Sequence, residues 1–126
     1  MIKKFDENPS DELRAFQIWL ILISKALNRQ TVTYKILGKM LGFKGYGVFA
    51  GILDHIRIYC ILNKLPPLTA LVVNQVTGLP GEGLGLLDKK LNSAREIIYN
   101  YDWYNIIPPT PEQLMREREK GIKKGI

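Results

Sequence analysis

The chain has 126 residues, 46% of them hydrophobic, which is the size and composition of one globular domain. Its single cysteine, Cys60, excludes an internal disulfide and a cluster of thiolate ligands. The longest apolar run, Ile18 to Ile23, is far shorter than the roughly 20 residues that cross a bilayer. We therefore expect a cytoplasmic protein that has no signal peptide and does not associate with membranes.

The positive charge is concentrated in one third of the sequence. The net charge is +6, and residues 25–64 alone carry that excess, since seven basic residues face one acid, Asp54. A block so one-sided favours a polyanionic partner over scattered surface charge. The basic residues of the block are Lys25, Arg29, Lys35, Lys39, Lys44, Arg57 and Lys64.

The first predicted helix follows a short polar segment. Asn8 is suited to its cap and Pro9 to its first position, and apolar residues then recur at helical spacing to about Asn28. A short connection, extended near Thr31-Val32, leads out of this helix.

The second predicted helix runs from Tyr34 to Leu41, with Thr33 as its cap and Gly42 at its end. We expect its apolar side to face the core. The residues of that side are Ile36, Leu37, Met40 and Leu41.

A glycine-containing turn and a third helix, from about Val48 to Asn63, come next. Pro66-Pro67 ends it and leads into an apolar run, Leu68 to Val73, that reads as a strand buried on both faces. The turn Asn74 to Gly78 then predicts a β-hairpin. Helix, helix, turn, helix and hairpin is the order of a winged helix-turn-helix.

The C-terminal part predicts two more helices. One runs from about Asp88 to Tyr101, and an aromatic cluster beside it is expected to pack on the core. Thr110 and Gln113 form the capping box of the last helix. We expect a winged-helix domain over residues 1–107 and a charged helical tail over 108–126. The fold class is thus mainly α with a small β-hairpin.

Two resemblances carry the interpretation further. The segment VTYKILGKMLG, followed by a turn and FAG, resembles the DNA-binding domain of alkylguanine-DNA alkyltransferases and alkyltransferase-like proteins over roughly residues 32–83. The elements IRIYC, LPPLTALVVNQVTGLPGEG and YNYDW are similar to an uncharacterised group of bacterial and phage proteins, some of them joined to nuclease domains.

The alkyltransferase resemblance implies DNA binding without the transfer chemistry. The family's nucleophile lies in a Pro-Cys-His-Arg element, and the matching strand here reads Leu71-Val72-Val73-Asn74. The position of the arginine that replaces a flipped base aligns near Val48. The Thr33-Tyr34 pair, which in the family contacts the DNA backbone, is retained.

No other catalytic constellation is visible in the sequence. His55 and Cys60 are the single histidine and cysteine, and on one helix they point about 140° apart, so they cannot form a nucleophile–base pair. We interpret Cys60 as a small core residue and His55 as a solvated surface imidazole. We expect no enzyme activity, no metal, no cofactor and no small-molecule substrate.

The sequence therefore predicts a stand-alone protein that binds double-stranded DNA with modest sequence preference. The third helix would present its beginning, residues 46–49, to the major groove, and the hairpin tip would reach a neighbouring backbone. The alternative is a small protein-binding module, such as a phage inhibitor of a host or defence protein. The predicted DNA-contacting residues are Thr33, Tyr34, Lys35, Lys39, Lys44, Tyr46, Gln75 and Thr77.

Overall fold

The computed structural model describes residues 1–7, 10–45, 47–78 and 88–126. Within these ranges the chain is mainly helical, with five α-helices, two short 3-10 helices and a two-stranded sheet. In chain order the elements are α1 Asp11–Leu27, β1 Val32–Thr33, α2 Tyr34–Leu41, α3 Phe49–Leu62, the first 3-10 helix Leu68–Leu71, β2 Val72–Val73, α4 Asp88–Asn100, the second 3-10 helix Trp103–Asn105 and α5 Pro111–Lys123.

Local signals in the sequence set most helix boundaries. Thr33 caps α2, since its hydroxyl oxygen accepts from the amide of Ile36 at 3.0 Å, and Gly42 ends that helix at φ +75°. Helix α1 begins two residues later than expected, because Ser10 caps it. The expected cap, Asn8, and Pro9 lie outside the described residues.

The sheet differs from the prediction. Strand β2 pairs with β1 in parallel, with Val72 opposite Val32 and Val73 opposite Thr33. The predicted hairpin is therefore wrong, and the turn after Val73 leads to no strand among the described residues. The partner strand lies about forty residues earlier in the chain, a pairing that a local turn signal cannot reveal.

Only the end of the predicted strand is extended. Residues 68–71 form a 3-10 helix, and all six positions of the run are buried, as expected. Helical backbone over the first four residues satisfies local hydrogen-bonding groups where no neighbouring strand is available.

Helix α3 is the centre of the molecule. It packs against α1, α5 and the first 3-10 helix, and its buried residues include Phe49, Ile52 and Ile56. On α1, Trp19 is fully buried and meets the rings of Tyr59 and Trp103 edge to face at 5.6 and 5.7 Å. The aromatic cluster after α4 thus joins the core through Trp103, whereas Tyr104 is exposed.

Helix α5 packs along both α1 and α3. The predicted capping box is confirmed, because the Thr110 hydroxyl accepts from the Gln113 amide and the Gln113 side chain accepts from the Thr110 amide. Leu114 is fully buried. No helix in the described part of the chain is long and apolar enough to span a membrane.

Candidate nucleic-acid interface

Two predicted DNA-contacting segments follow the same end of the parallel sheet. Parallel strands run in the same direction, so the chain leaves both strands at the same edge. Helix α2 begins with Tyr34 directly after β1, and the turn 74–78 begins directly after β2. We call the exposed side chains of α2, Lys44 and this turn the α2 surface.

Helix α2 presents a basic stripe and an apolar stripe to its surroundings. Its inner side is formed by Leu37, Gly38 and Leu41. With about 100° between successive residues, the exposed Lys35 and Lys39 share one flank of the helix.

The other flank of α2 is formed by Ile36 and Met40, whose side chains are 53% and 55% exposed. The prediction that these two residues face the core is wrong. Leu37, Gly38 and Leu41 form the buried side of this short helix, so the neighbouring apolar positions face outward.

Ion pairs divide the basic block into two classes. Arg29 pairs with Glu96 of α4 at 2.5 Å, and Arg57 pairs with Asp54 at 2.8 Å. Arg118 of α5 reaches the second oxygen of the same Asp54 carboxylate at 3.3 Å. The arginine charges of the block are therefore compensated within the fold.

The lysines of the α2 surface are not compensated in this way. Lys35, Lys39 and Lys44 are exposed, and none of them makes an ion pair with any residue that the structure describes. Three uncompensated positive charges of the block therefore lie close together in the sequence, on α2 and just after it.

The Thr33-Tyr34 pair has structural roles in the fold. The Thr33 hydroxyl is occupied by the α2 cap. The half-buried Tyr34 ring meets the edge of Phe49 with 5.6 Å between centroids. These contacts fix the start of α2 on the N-terminal end of α3 and thereby orient Lys35.

The turn at the α2 surface is held by Asn74. Its side-chain oxygen accepts from the amides of Val76 and Thr77 at 2.8 and 3.3 Å, and its carbonyl accepts from the amide of Gly78 at 2.8 Å. Gly78 adopts φ +68°, the left-handed conformation that favours glycine. The exposed Gln75 and Thr77 thus lie on a fixed turn next to a strand.

The connection from α2 to α3 is anchored by Arg14 of α1. The guanidinium donates to the Leu41 carbonyl at 2.9 Å and to the Gln17 side chain at 2.8 Å. It also lies 3.7 Å from the centroid of the Phe5 ring and 5.1 Å from that of Phe43. Burial lowers the pKa of Arg14 from its ordinary value, yet an arginine stays protonated at neutral pH.

Sequence reasoning missed the contact of Arg14 with Leu41, since nothing in the periodicity of α1 distinguishes Arg14 from a solvated arginine.

Lys44 follows Phe43 directly and is exposed. Tyr46, another predicted DNA-contacting residue, lies outside the described residues.

Helix α3 offers little surface of its own. Phe49 at its start is buried beneath Tyr34 and Phe43, while Val48 and Ala50 are exposed. Farther along, α1 and α5 flank the helix, and Asp54 is paired with two arginines. Only its first turn is thus available to a partner at the α2 surface.

The single histidine and the single cysteine of the sequence are both buried. The prediction that His55 is solvated is wrong: it is 4% exposed, and its Nδ1 lies 2.8 Å from the Gly51 carbonyl oxygen. Helices α1 and α5 pack on α3, and only a small part of the His55 side chain remains accessible to water. Cys60 is buried as predicted, and burial raises the pKa of its thiol to about 12. Among the described residues, no group of three potential ligands could hold a metal ion.

Comparison of the chain with models of protein families, with curated proteins and with solved structures finds no match in any of the three.

Proposed function

We propose that this protein binds double-stranded DNA without catalysis, through contacts of the α2 surface with the phosphate backbone. The observation that carries the proposal is the charge of that surface. Lys35, Lys39 and Lys44 are exposed and uncompensated within the described structure, while the arginines of the same block are paired. When uncompensated lysines neutralise phosphates, the cations condensed on the DNA are released, and this release is the main source of sequence-independent affinity.

The composition of the α2 surface favours modest sequence preference. Arginine, asparagine and glutamine read base edges best, and the exposed positions of α2 are two lysines, an isoleucine and a methionine. Helix α3, flanked by α1 and α5, offers its first turn alone. We therefore propose that α2 and α3 act as a helix-turn-helix that holds the backbone, with Gln75 and Thr77 of the turn contacting a neighbouring phosphate. The resemblance to alkyltransferase DNA-binding domains favours the same proposal.

The proposal predicts a change in salt dependence when the three lysines are replaced together. If each neutralises one phosphate, Lys35→Ala, Lys39→Ala and Lys44→Ala combined should make the slope of log Kd against log salt shallower by roughly 2 to 3 units. Fluorescence anisotropy with a random-sequence duplex at four salt concentrations measures that slope. Stability should change little, because surface substitutions typically cost within about 0.5 kcal/mol each.

Helix α5 supplies a matched control. Lys120, Lys123 and Lys124 are also exposed, and their replacement by Ala removes the same three charges from another part of the molecule. The control should retain most of the wild-type slope. Equal losses in both triple variants would reduce the attraction to net charge and reject the α2 surface as the site.

A second candidate, docking on another protein, is favoured by one observation. Ile36 and Met40 form an apolar stripe on α2 that is about half exposed beside the lysines, and interfaces combine an apolar centre with a polar rim. Binding through that stripe would be nearly independent of salt. Lack of duplex binding by the wild type would make this candidate, a small inhibitor or accessory protein, the better proposal.

A further inference from the structure

The N-terminal segment carries two exposed lysines, Lys3 and Lys4, and is held against α1. The Phe5 ring rests on the Arg14 guanidinium at 3.7 Å, and the same guanidinium contacts the Phe43 ring at 5.1 Å. Phe43 immediately precedes Lys44. The N-terminal segment, residues 1–7, is therefore attached at Phe5 to Arg14 of α1. The same arginine contacts the connection between α2 and α3 that carries Lys44.

The attachment also determines where the charges of the segment lie. Lys3 and Lys4 precede Phe5 and are exposed, whereas Asp6 and Glu7 follow it. Residues 4–7 form a turn. The Glu7 amide donates to the Lys4 carbonyl at 3.1 Å, and the Lys4 amide donates to the Glu7 carboxylate at 3.3 Å. In the sequence the lysines precede the anchor Phe5 and the acids follow it, and the turn holds the Glu7 carboxylate at the Lys4 backbone.

The cation–π contact is suited to holding such a segment in a defined place. An arginine cation is attracted to the negative face of an aromatic ring, and Arg14 is itself fixed by two hydrogen bonds. Both lysines are thus tethered within one or two residues of a rigid point. A tether raises the local concentration of a cation near a phosphate that the body already contacts.

We propose that the N-terminal segment is a second DNA-contacting element, in which Phe5 docked on Arg14 positions Lys3 and Lys4 against phosphates adjacent to the one that Lys44 contacts. Basic segments that extend from a helical body to a neighbouring part of the duplex are a general means of enlarging a DNA footprint. The inference rests on the proposed function and adds a second contact region to it.

Three variants of the whole chain test the inference against the same random-sequence duplex. Replacing Lys3 and Lys4 by Ala should make the salt slope shallower by roughly 2 units. Phe5→Ala keeps both lysines but removes their anchor, so it should raise Kd by roughly two- to fivefold at low salt. In the Lys3/Lys4 double variant, a further Phe5→Ala change should have almost no effect, because no cations remain to be positioned.

Ile2→Ala is the matched control, since Ile2 is exposed in the same segment and uncharged; it should bind like the wild type. A wild-type slope in the Lys3/Lys4 variant, with a reduced slope in the Lys35/Lys39/Lys44 variant, would overturn the N-terminal contact and leave the proposed function standing. An effect of Phe5→Ala that is equal with and without the two lysines would show that Phe5 supports the fold only, and would also overturn it. Failure of the wild type to bind duplex would overturn both proposals.

Discussion

Gly121 marks the closest approach of α5 to α3. A Cβ atom at this position would lie 2.3 Å from Cγ2 of Ile58, and Ile58 is itself fully buried. In an exposed helix, replacing glycine by alanine stabilises by roughly 1 kcal/mol. Here the added methyl must displace a β-branched core residue, and such overpacking typically costs about 1–3 kcal/mol. We expect Gly121→Ala to lower the free energy of unfolding, measured by urea denaturation.

Two comparisons identify the cause of that loss. Gly47→Ala places its methyl in open space, so it should leave stability nearly unchanged. Ile58→Ala removes the obstructing Cγ2 atom, and in that background Gly121→Ala should cost much less than in the wild type. A full loss in both backgrounds would mean that the cost does not come from a clash with Ile58.

At the scale of elements, helix α5 contributes to the stability of the core through the side chains that it buries against α1 and α3. Leu114 is fully buried where α5 meets the body, whereas Leu27, at the end of α1, is 66% exposed. Leu114→Ala should therefore cost about 2–4 kcal/mol, and Leu27→Ala within about 0.5 kcal/mol. Thermal denaturation followed by circular dichroism compares the two. Similar melting temperatures would indicate that α5 contributes little to the stability of the core.

The elements also show which signals in a sequence are sufficient. Caps and glycines are local, so Thr33, Gly42 and the Thr110–Gln113 box predict helix ends that the structure reproduces within a residue. Strand pairing is not local. The buried run before Asn74 and the turn after it are both present, but β1, the partner of β2, precedes it by about forty residues. The turn signal at Asn74 predicts only a strand that follows in sequence, so it leads to a hairpin rather than to the pairing with β1.

At the scale of the whole molecule, the sequence shows the block of positive charge at residues 25–64 but does not show which of its charges are free to bind a partner. The pair of Asp54 and Arg57 follows from helical spacing. The pair of Arg29 and Glu96 joins residues 67 positions apart, and the contact of Arg14 with Leu41 joins residues 27 apart. These long-range contacts separate structural arginines from the exposed lysines of α2. The candidate surface can therefore be defined only from the structure, which shows which basic side chains form ion pairs.

The buried thiol of Cys60 makes the stability of the core depend on pH. Burial raises the pKa of its thiol to about 12, against 9.0 for an ordinary cysteine. The folded state thus holds the proton above pH 9 while the unfolded state releases it, so this contribution to stability is complete below pH 9 and is lost as the pH rises toward 12. The free energy of unfolding should fall by about 1.4 kcal/mol more between pH 8 and pH 10 in the wild type than in Cys60→Ala.

The same thiol reports on the route to solvent. At pH 8 a thiol reagent should label the native protein only as fast as the core unfolds, and labelling should accelerate with urea in parallel with the loss of helical signal. Equal pH dependence of the wild type and Cys60→Ala would show that the thiol ionises normally in the folded protein. Rapid labelling without urea would show that the core opens locally around Cys60, which belongs to the buried hydrophobic cluster.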